Sequence, residues 1–457
     1  MNFMYVHTPS FNEGTNILRD FRCWRKCFAG GCSKFFYAIF LTAATFLAGI
    51  PQRCVLFLFI SSFYFGVDFI NPHNIVINAA DITFLLLVLA FFSFLLNRLD
   101  YSPKITNRPK KVLGWVLLFT IWCSISVIVN LFSSTLHTGL HSIWFAIRLA
   151  ELPVGLYIFS SKGVNRYREP IFDFIIFYSI LEIGLSLFQH FLLHRVTSHG
   201  TFPNHHAIVG IMMAPSAAIS LYRYLIRNTL LPRIFYGAVF FLSIYTIILS
   251  QCRSMLVGVA IAIVIFFLTN IKFKMRYFIF LACTISAIAI SIKVTPLEHI
   301  FYKTIHPSNS PTSVDISSYG RLLIWEGAIT HFIHASLFEK LVGVGTGSFF
   351  TVRYNFFIFS EKYAGGGHNN FLQALIETGI IGLILFIIMF YSICRALLRS
   401  SKTDALAMPF FYATIALLAS GFTQETFWVQ DQFNGGFWLL NMIIVGLILG
   451  NQHNDLF

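Results

Sequence analysis

Eleven apolar blocks recur along this sequence of 457 residues, and each approaches the ~20 residues that a helix needs to cross a membrane. They lie at residues 77–97, 113–134, 142–160, 170–190, 205–222, 234–250, 255–270, 277–295, 370–394, 407–423 and 436–450. A further apolar stretch, 35–70, is interrupted at Pro51 and Arg53; it is interpreted as one broken span, with two short spans as the alternative. A soluble core could not bury these blocks, because 56% of the residues are apolar and 11% are charged, against about 25% charged in soluble domains. The sequence predicts an all-α polytopic membrane protein with about twelve transmembrane helices.

The Lys and Arg residues gather in six short clusters between the apolar blocks. The clusters lie at 19–34, 98–111, 162–168, 223–233, 272–276 and 395–402, and they hold 22 of the 32 Lys and Arg residues. Because loops rich in Lys and Arg stay on the cytoplasmic side, the pattern places both ends of the chain in the cytoplasm. The net charge of +13 therefore reflects membrane topology, and nucleic acid is not an expected partner.

This topology divides the chain into five parts. A basic cytoplasmic tail (1–34) precedes an N-terminal transmembrane bundle (35–295), a large outer loop (296–369), C-terminal transmembrane helices (370–450) and a short cytoplasmic tail (451–457). Apolar residues at helical spacing between Leu322 and Ile333 predict amphipathic helices in the loop. Cys23, Cys27 and Cys32 lack the spacing of a zinc site, so neither a metal nor another cofactor is expected.

Glycine-rich motifs stand near the end of the outer loop. Gly343–Ser348 reads Gly-x-Gly-x-Gly-Ser, and Gly365–Asn369 places three glycines before His368 and the next apolar helix. The backbone of the three glycines before His368 can turn tightly and approach a ligand, and a helix N-terminus offers N–H groups to an anion. His368 can exchange a proton near neutral pH, which makes it a candidate catalytic residue. In the alternative interpretation the glycines form a flexible loop and His368 caps the helix.

Three arginines lie on the predicted outer side. Arg253 stands in the turn Ser250–Ser254 between two apolar helices, Arg321 opens the predicted helix at 322–325, and Arg195 belongs to the outer segment 191–204. Lys and Arg are infrequent on this face, and a guanidinium fork suits phosphate better than an ammonium group does. The alternative is that each arginine extends to the lipid headgroups.

Five motifs, in this order, resemble the family of O-antigen ligases and Wzy-type polysaccharide polymerases, which are bacterial inner-membrane glycosyltransferases. They are Gly200-Thr-Phe-Pro-Asn204, Ser250-x-x-Arg-Ser254, Arg321-x-x-x-Trp325, Gly343-x-Gly-x-Gly-Ser348, and His368-Asn-x-Phe-Leu-Gln373 followed by Glu377-Thr-Gly-Ile-Ile-Gly382. The resemblance covers roughly 195–385. Cys252-Arg253-Ser254 departs from the Ser-Arg-Gly often found in the family but keeps the arginine.

The resemblance implies a GT-C-like helical fold and a metal-independent, inverting transfer of a glycan from undecaprenyl diphosphate at a periplasmic site. It implies that His368 is the general base for the acceptor hydroxyl. It assigns the diphosphate of the donor to Arg253, Arg321 and Arg195. It also implies that four residues shape the site: Gly345, Gly347, Gly367 and Asn369.

Within this family we favour an O-antigen ligase, whose acceptor is the lipid A core oligosaccharide. A polymerase, whose acceptor is another lipid-linked glycan, is the nearest alternative, and a protein oligosaccharyltransferase is a more distant one, because all three share the donor. A lipid-glycan flippase would carry ionisable residues near the membrane midplane and paired halves. The candidate residues instead gather around one outer loop, which favours an enzyme.

Overall fold

The structure is a computed structural model that describes residues 68–70, 77–78, 107–133, 136–160, 168–194, 197–198, 200, 206–269, 313–349, 368–404, 406–424, 426–427 and 432–450. All of them belong to one compact unit that spans residues 50–457. Both predicted cytoplasmic tails, most of the first span at 35–70, the apolar block at 277–295, and the candidate residues Arg195 and Gly367 lie outside the described residues.

Helices dominate the described part of the chain. They are α1 Asn107–Ser133, α2 Leu136–Phe159, α3 Arg168–Phe191, α4 His206–Ile226, α5 Leu230–Leu249, α6 Arg253–Thr269, α7 Ser313–His334, α8 Leu337–Val342, α9 Asn370–Ser400, α10 Ala407–Ser420 and α11 Gln432–Gly450. Nine of these coincide with predicted apolar blocks, whereas α7 and α8 fall within residues 296–369. Two short strands, β1 Asp68–Ile70 and β2 Ile77–Asn78, pair antiparallel, so the helix predicted from residue 77 does not begin there.

Five of the described helices are long and apolar enough to cross a membrane: α1, α3, α4, α5 and α9. Shorter apolar stretches occur in α6, α10 and α11. The prediction of a polytopic helical membrane protein is confirmed at this level, because a soluble domain has no use for several such helices. The total of twelve helices and the position of the outer loop remain predictions.

Neighbouring helices run antiparallel because their connections are short. Two residues separate α1 from α2, and three separate α4 from α5 and α5 from α6. At one end of the bundle Arg223 on α4 donates from Nη1 to Oδ1 of Asp173 on α3 (2.9 Å) and to the hydroxyl of Tyr236 on α5 (2.8 Å). The basic stretches at the start of α1 and the end of α9 lie at this end, and the turn that contains Arg253 lies at the opposite end.

The long helix α9 is folded at Gly379, which has φ 69° and ψ −173°. A straight helix would separate Phe371 from Phe386 by about 22 Å along its axis, but their ring centroids are 5.7 Å apart. The helix therefore bends by about a right angle or more, into segments 370–378 and 380–400. A Cβ at Gly379 would overlap the backbone of Leu341 and Val342. The prediction of one continuous helix over 370–394 is wrong, because an apolar pattern does not report a positive φ.

Candidate functional site

The segment 421–427, which follows α10, contacts two parts of the predicted site. Arg321 on α7 donates from Nη1 to the carbonyl oxygen of Thr423 (3.1 Å) and from Nη2 to Oε1 of Gln424 (3.5 Å). These contacts direct the guanidinium group into the protein. They favour a role of Arg321 in the predicted site over the alternative that its side chain extends to the lipid headgroups. Because α7 begins at Ser313, Arg321 lies eight residues into the helix and does not open it as the sequence predicts.

The first residue of α9 binds the same segment. The backbone N–H of Asn370 donates to the carbonyl oxygen of Gly421 (2.8 Å), and its Nδ2 donates to Oγ1 of Thr426 (2.9 Å). Its Oδ1 accepts from the backbone N–H groups of Thr426 (3.1 Å) and Phe427 (3.3 Å). His368 lies two residues before Asn370, so the backbone that carries His368 is held beside the segment that binds Arg321.

His368 precedes the helix cap and does not provide it. Asn369 is the N-cap residue, because its Oδ1 accepts from the N–H groups of Phe371 (2.9 Å) and Leu372 (3.0 Å). The amides at positions 370 and 373 donate to the carbonyl oxygens of residues 421 and 369. Two interpretations are therefore wrong: His368 does not cap α9, and the N-terminus of α9 does not offer unused N–H groups to an anion. His368 itself has φ 47°.

Arg253 is the first residue of α6 and follows a tight turn in which Gln251 has φ 54°. The neighbouring Cys252 is 4% exposed. Burial raises the pKa of the Cys252 thiol, whereas hydrogen bonds and the positive charge of Arg321 lower it in part. Gly258 on α6 packs against the backbone of Ala416 and the side chain of Ser420, near the end of α10. The first turns of α6 therefore lie near the end of α10, from which the segment 421–427 continues.

Residues close to Arg195 in sequence lie against the same end of the bundle. The N–H of Ser198 donates to the carbonyl oxygen of Leu249, the last residue of α5 (2.9 Å). The side-chain amide of Gln189 binds both backbone groups of Gly200, at 2.6 and 3.0 Å. This segment therefore adjoins the turn before α6, although Arg195 itself is outside the described residues.

The N–H groups of the glycine motif are directed at Glu377, a fully buried residue of α9. Gly345 donates to its carbonyl oxygen (3.0 Å), Gly347 to Oε2 (2.8 Å) and Phe349 to Oε1 (3.2 Å). Gly345 and Gly347 have φ 111° and 80°, which favour glycine. The N–H groups of this motif are used inside the protein, and the site-shaping role implied for Gly345 and Gly347 remains a prediction. The motif contacts α9.

The glycine motif lies beside the apolar span Pro109–Val129 of α1. Thr346 donates from Oγ1 to the carbonyl oxygen of Cys123 (3.0 Å), and Ser126 donates from Oγ to that of Glu377 (2.6 Å). Non-helical backbone at membrane depth requires internal hydrogen-bond partners, and Glu377 supplies several. No role for Glu377 is predicted from the sequence. An ionisable residue within an apolar helix is the signal that could have identified it.

Three predicted site residues belong to this end of the bundle. Arg321 binds the segment 421–427, His368 lies two residues before Asn370, and Arg253 is the first residue of α6. Guanidinium groups bind phosphate oxygens through directed N–H bonds, and an imidazole can accept a proton. Among the described residues no group of three or more His, Cys, Asp or Glu side chains could hold a metal ion. The arrangement is suited to a substrate that carries phosphate and reacts through a hydroxyl group.

Residues 238–387 match the family model described as O-antigen ligase. Over these residues the chain is similar to the O-antigen ligases. The predicted resemblance to O-antigen ligases and Wzy-type polymerases is thereby confirmed. The match contains Arg253, Arg321 and His368, but it begins after Arg195 and the Gly200–Asn204 motif, whose place in the site remains a prediction. No curated protein matched the chain.

Proposed function

We propose that this protein is an O-antigen ligase of the bacterial inner membrane, which transfers a glycan from undecaprenyl diphosphate to the lipid A core oligosaccharide. The family domain at 238–387 supports an enzyme that acts on lipid-linked glycans. In this proposal the end of the bundle with the Arg253 turn faces the periplasm, and the basic end faces the cytoplasm. The active site then lies where the lipid-linked donor and the lipid A core are both present.

The contacts of the segment 421–427 carry this proposal. Arg321 and Asn370, which come from distant parts of the chain, both bind this segment. The first turns of α6, which begins at Arg253, pack near the end of α10, from which this segment continues. Two cationic groups and the imidazole of His368 thus come from three separate motifs to one end of the bundle.

The charges suit a donor that carries its own leaving group. Nucleotide sugars are made in the cytoplasm, so a glycan transferred on the other side of the membrane must arrive on an activated lipid. A lipid diphosphate provides that activation. Guanidinium groups of Arg253 and Arg321 would bind its oxygens and stabilise the negative charge that develops as it leaves.

The proposed reaction is a single displacement. His368 accepts the proton of the acceptor hydroxyl, and the acceptor oxygen forms a bond to the anomeric carbon. The bond from that carbon to the phosphate oxygen breaks, and its electron pair leaves with undecaprenyl diphosphate. Attack from the side opposite the leaving group inverts the anomeric configuration.

Arginine side chains supply the positive charge in this reaction, so we expect transfer to be independent of metal ions. Purified protein with lipid-linked glycan and core acceptor should retain its rate in excess EDTA. A loss of rate that added Mg²⁺ or Mn²⁺ restores would contradict the proposed chemistry.

Complementation of a ligase-deficient strain that still makes lipid-linked O-antigen tests the function. Wild type and His368→Ala are compared at equal membrane abundance, with Glu326→Gln on the exposed face of α7 as the control. The proposal expects wild type and the control to restore capped lipopolysaccharide on a gel, and His368→Ala to leave uncapped core. Longer lipid-linked polymer without capping would identify a polymerase instead, and full activity of His368→Ala would exclude the general-base role.

A further inference from the structure

The Glu377 carboxylate joins the two halves of a small hydrogen-bonded unit. Its Oε2 accepts from the N–H of Gly347, and its Oε1 accepts from the N–H of Phe349 and from Nε2 of Gln373 (3.2 Å). Its backbone carbonyl oxygen accepts from the N–H of Gly345. One residue therefore connects the glycine motif to the segment 370–378 of α9.

The segment 370–378 is held at both ends. At its start Asn370 binds the segment 421–427. At its end the carbonyl oxygens of Glu377 and Thr378 accept from Oγ of Ser126 (2.6 Å) and Nε1 of Trp122 (2.9 Å) on α1. A helix of nine residues is about 13 Å long and moves as one body, so a change at Glu377 is transmitted to its other end. His368 lies two residues before that end.

We propose that Glu377 is a positioning residue, which sets the place of His368 through the segment 370–378. This inference rests on the proposed function, in which His368 acts on the acceptor hydroxyl. A carboxylate suits the position because it accepts hydrogen bonds at both oxygens, whereas an amide must present N–H donors at one of its two positions. In Glu377→Gln one of those positions faces an N–H donor of Gly347 or Phe349, and the segment shifts.

A double-mutant cycle between Glu377 and His368 separates positioning from stability. Transfer by purified protein is measured for wild type, Glu377→Gln, His368→Ala and the double variant, with kcat expressed per folded protein. We expect Glu377→Gln to lower kcat by about 100-fold, the size of effect that a misplaced reacting group produces, with little change in KM for the donor. In the His368→Ala background the same change should lower kcat by less than about threefold, because contacting sites are not additive.

Equal losses from Glu377→Gln in both backgrounds would overturn the inference, because a structural role acts independently of His368. Activity of His368→Ala equal to wild type would remove the general-base role on which this inference rests, and failure of wild type to transfer glycan to the core acceptor would overturn the proposed function itself. If His368→Ala is strongly impaired and Glu377→Gln causes equal losses of kcat in both backgrounds, the proposed function stands and only the positioning role of Glu377 is removed.

Two further variants serve as controls. The exchange Gln373→Glu with Glu377→Gln keeps the same pair of groups but moves the carboxylate one helical turn away from the glycine motif. We expect the exchanged variant to keep the low kcat of Glu377→Gln. Recovery of the wild-type kcat would overturn the inference, because a carboxylate at either position would then be sufficient for transfer. If Glu377→Gln does not fold, Gln373→Met takes its place, because it removes a hydrogen-bond donor to the Glu377 carboxylate. We expect a smaller loss of kcat that again depends on His368. An equal loss in the wild-type and His368→Ala backgrounds would overturn the inference.

Discussion

Arg321 donates to two acceptors of the segment 421–427, a backbone carbonyl oxygen and an amide oxygen. A guanidinium group carries five N–H donors in a fixed plane, so it can donate to both acceptors at the same time. An ammonium group has one compact charge centre and cannot reproduce that geometry. At the scale of one residue, the identity of the cation matters as well as its charge.

We therefore expect Arg321→Lys to retain little of the transfer rate. Arg321→Ala should lower kcat by about 100-fold or more, the cost of losing one charge-stabilising donor, and Arg321→Lys should recover only a small part of it. Arg227→Lys, exposed near the opposite end of the bundle, is the matched control and should be neutral. Wild-type rates for Arg321→Lys would show that charge alone is sufficient.

Cys252 gives a test of the distance between Arg321 and the Arg253 turn. Burial raises the pKa of this thiol and the charge of Arg321 lowers it in part, so less thiolate is present at pH 8 than for a free cysteine. In a variant whose only cysteine is Cys252, alkylation should still accelerate above pH 9. Arg321→Ala removes the lowering charge, so the pKa should rise further and alkylation at pH 9 should slow. An unchanged profile in Arg321→Ala would place the two groups apart.

At the scale of elements, the bend of α9 at Gly379 allows the glycine motif to lie next to the apolar helix α1. The segment 370–378 departs from the line of 380–400, and Gly343–Phe349 occupies the space beside it with its N–H groups on Glu377. Gly379 has a positive φ, and a Cβ there would overlap the backbone of Leu341, so both features require the absence of a side chain.

Gly379→Ala should therefore destabilise the protein by about 1–3 kcal/mol from strained backbone alone, with a further loss from overlap with α8, and should lower transfer activity. The control is Gly184→Ala in α3, where a Cβ has no atom within 4 Å. Since alanine is the better helix former, Gly184→Ala should be neutral or slightly stabilising. The thermal unfolding midpoint in detergent measures both, and equal midpoints would contradict the strained fold at Gly379.

At the scale of the whole molecule, the bundle has two chemically different ends. One end carries the basic residues at the start of α1 and at the end of α9, together with the contact of Arg223 with Asp173. The other carries the Arg253 turn, the segment 421–427 and the start of α9. The proposed function requires the second end to face the periplasm, which agrees with the distribution of Lys and Arg.

Single cysteines placed at the two ends measure this orientation. Lys402→Cys, exposed between α9 and α10, should react with an impermeant maleimide only after the inner membrane is opened. Leu337→Cys, exposed at the start of α8, should react in cells whose outer membrane alone is permeable. The opposite pattern would reverse the orientation and would exclude a periplasmic site.

The sequence alone predicted nine of the described helices, although not the bend of α9 at Gly379, and it predicted the family resemblance. The reason is local. Each apolar block must bury its backbone hydrogen bonds within itself once it enters lipid, so its length and composition are enough to predict a helix. The motifs that contain Arg253, Arg321 and His368 are also short and contiguous, and each could be read without knowledge of its neighbours. The positions of Arg195 and Gly367 remain predictions.

Only the tertiary structure brought the segment 421–427 between Arg321 and Asn370, since these contacts join residues about 50 to 100 positions apart. It also assigned the helix cap to Asn369 and directed the glycine N–H groups to Glu377. Periodicity reports which residues are apolar, but it does not report a positive φ or the partner of a buried polar group. Such features depend on what lies across the bundle, and at membrane depth every unpaired N–H must find an acceptor there.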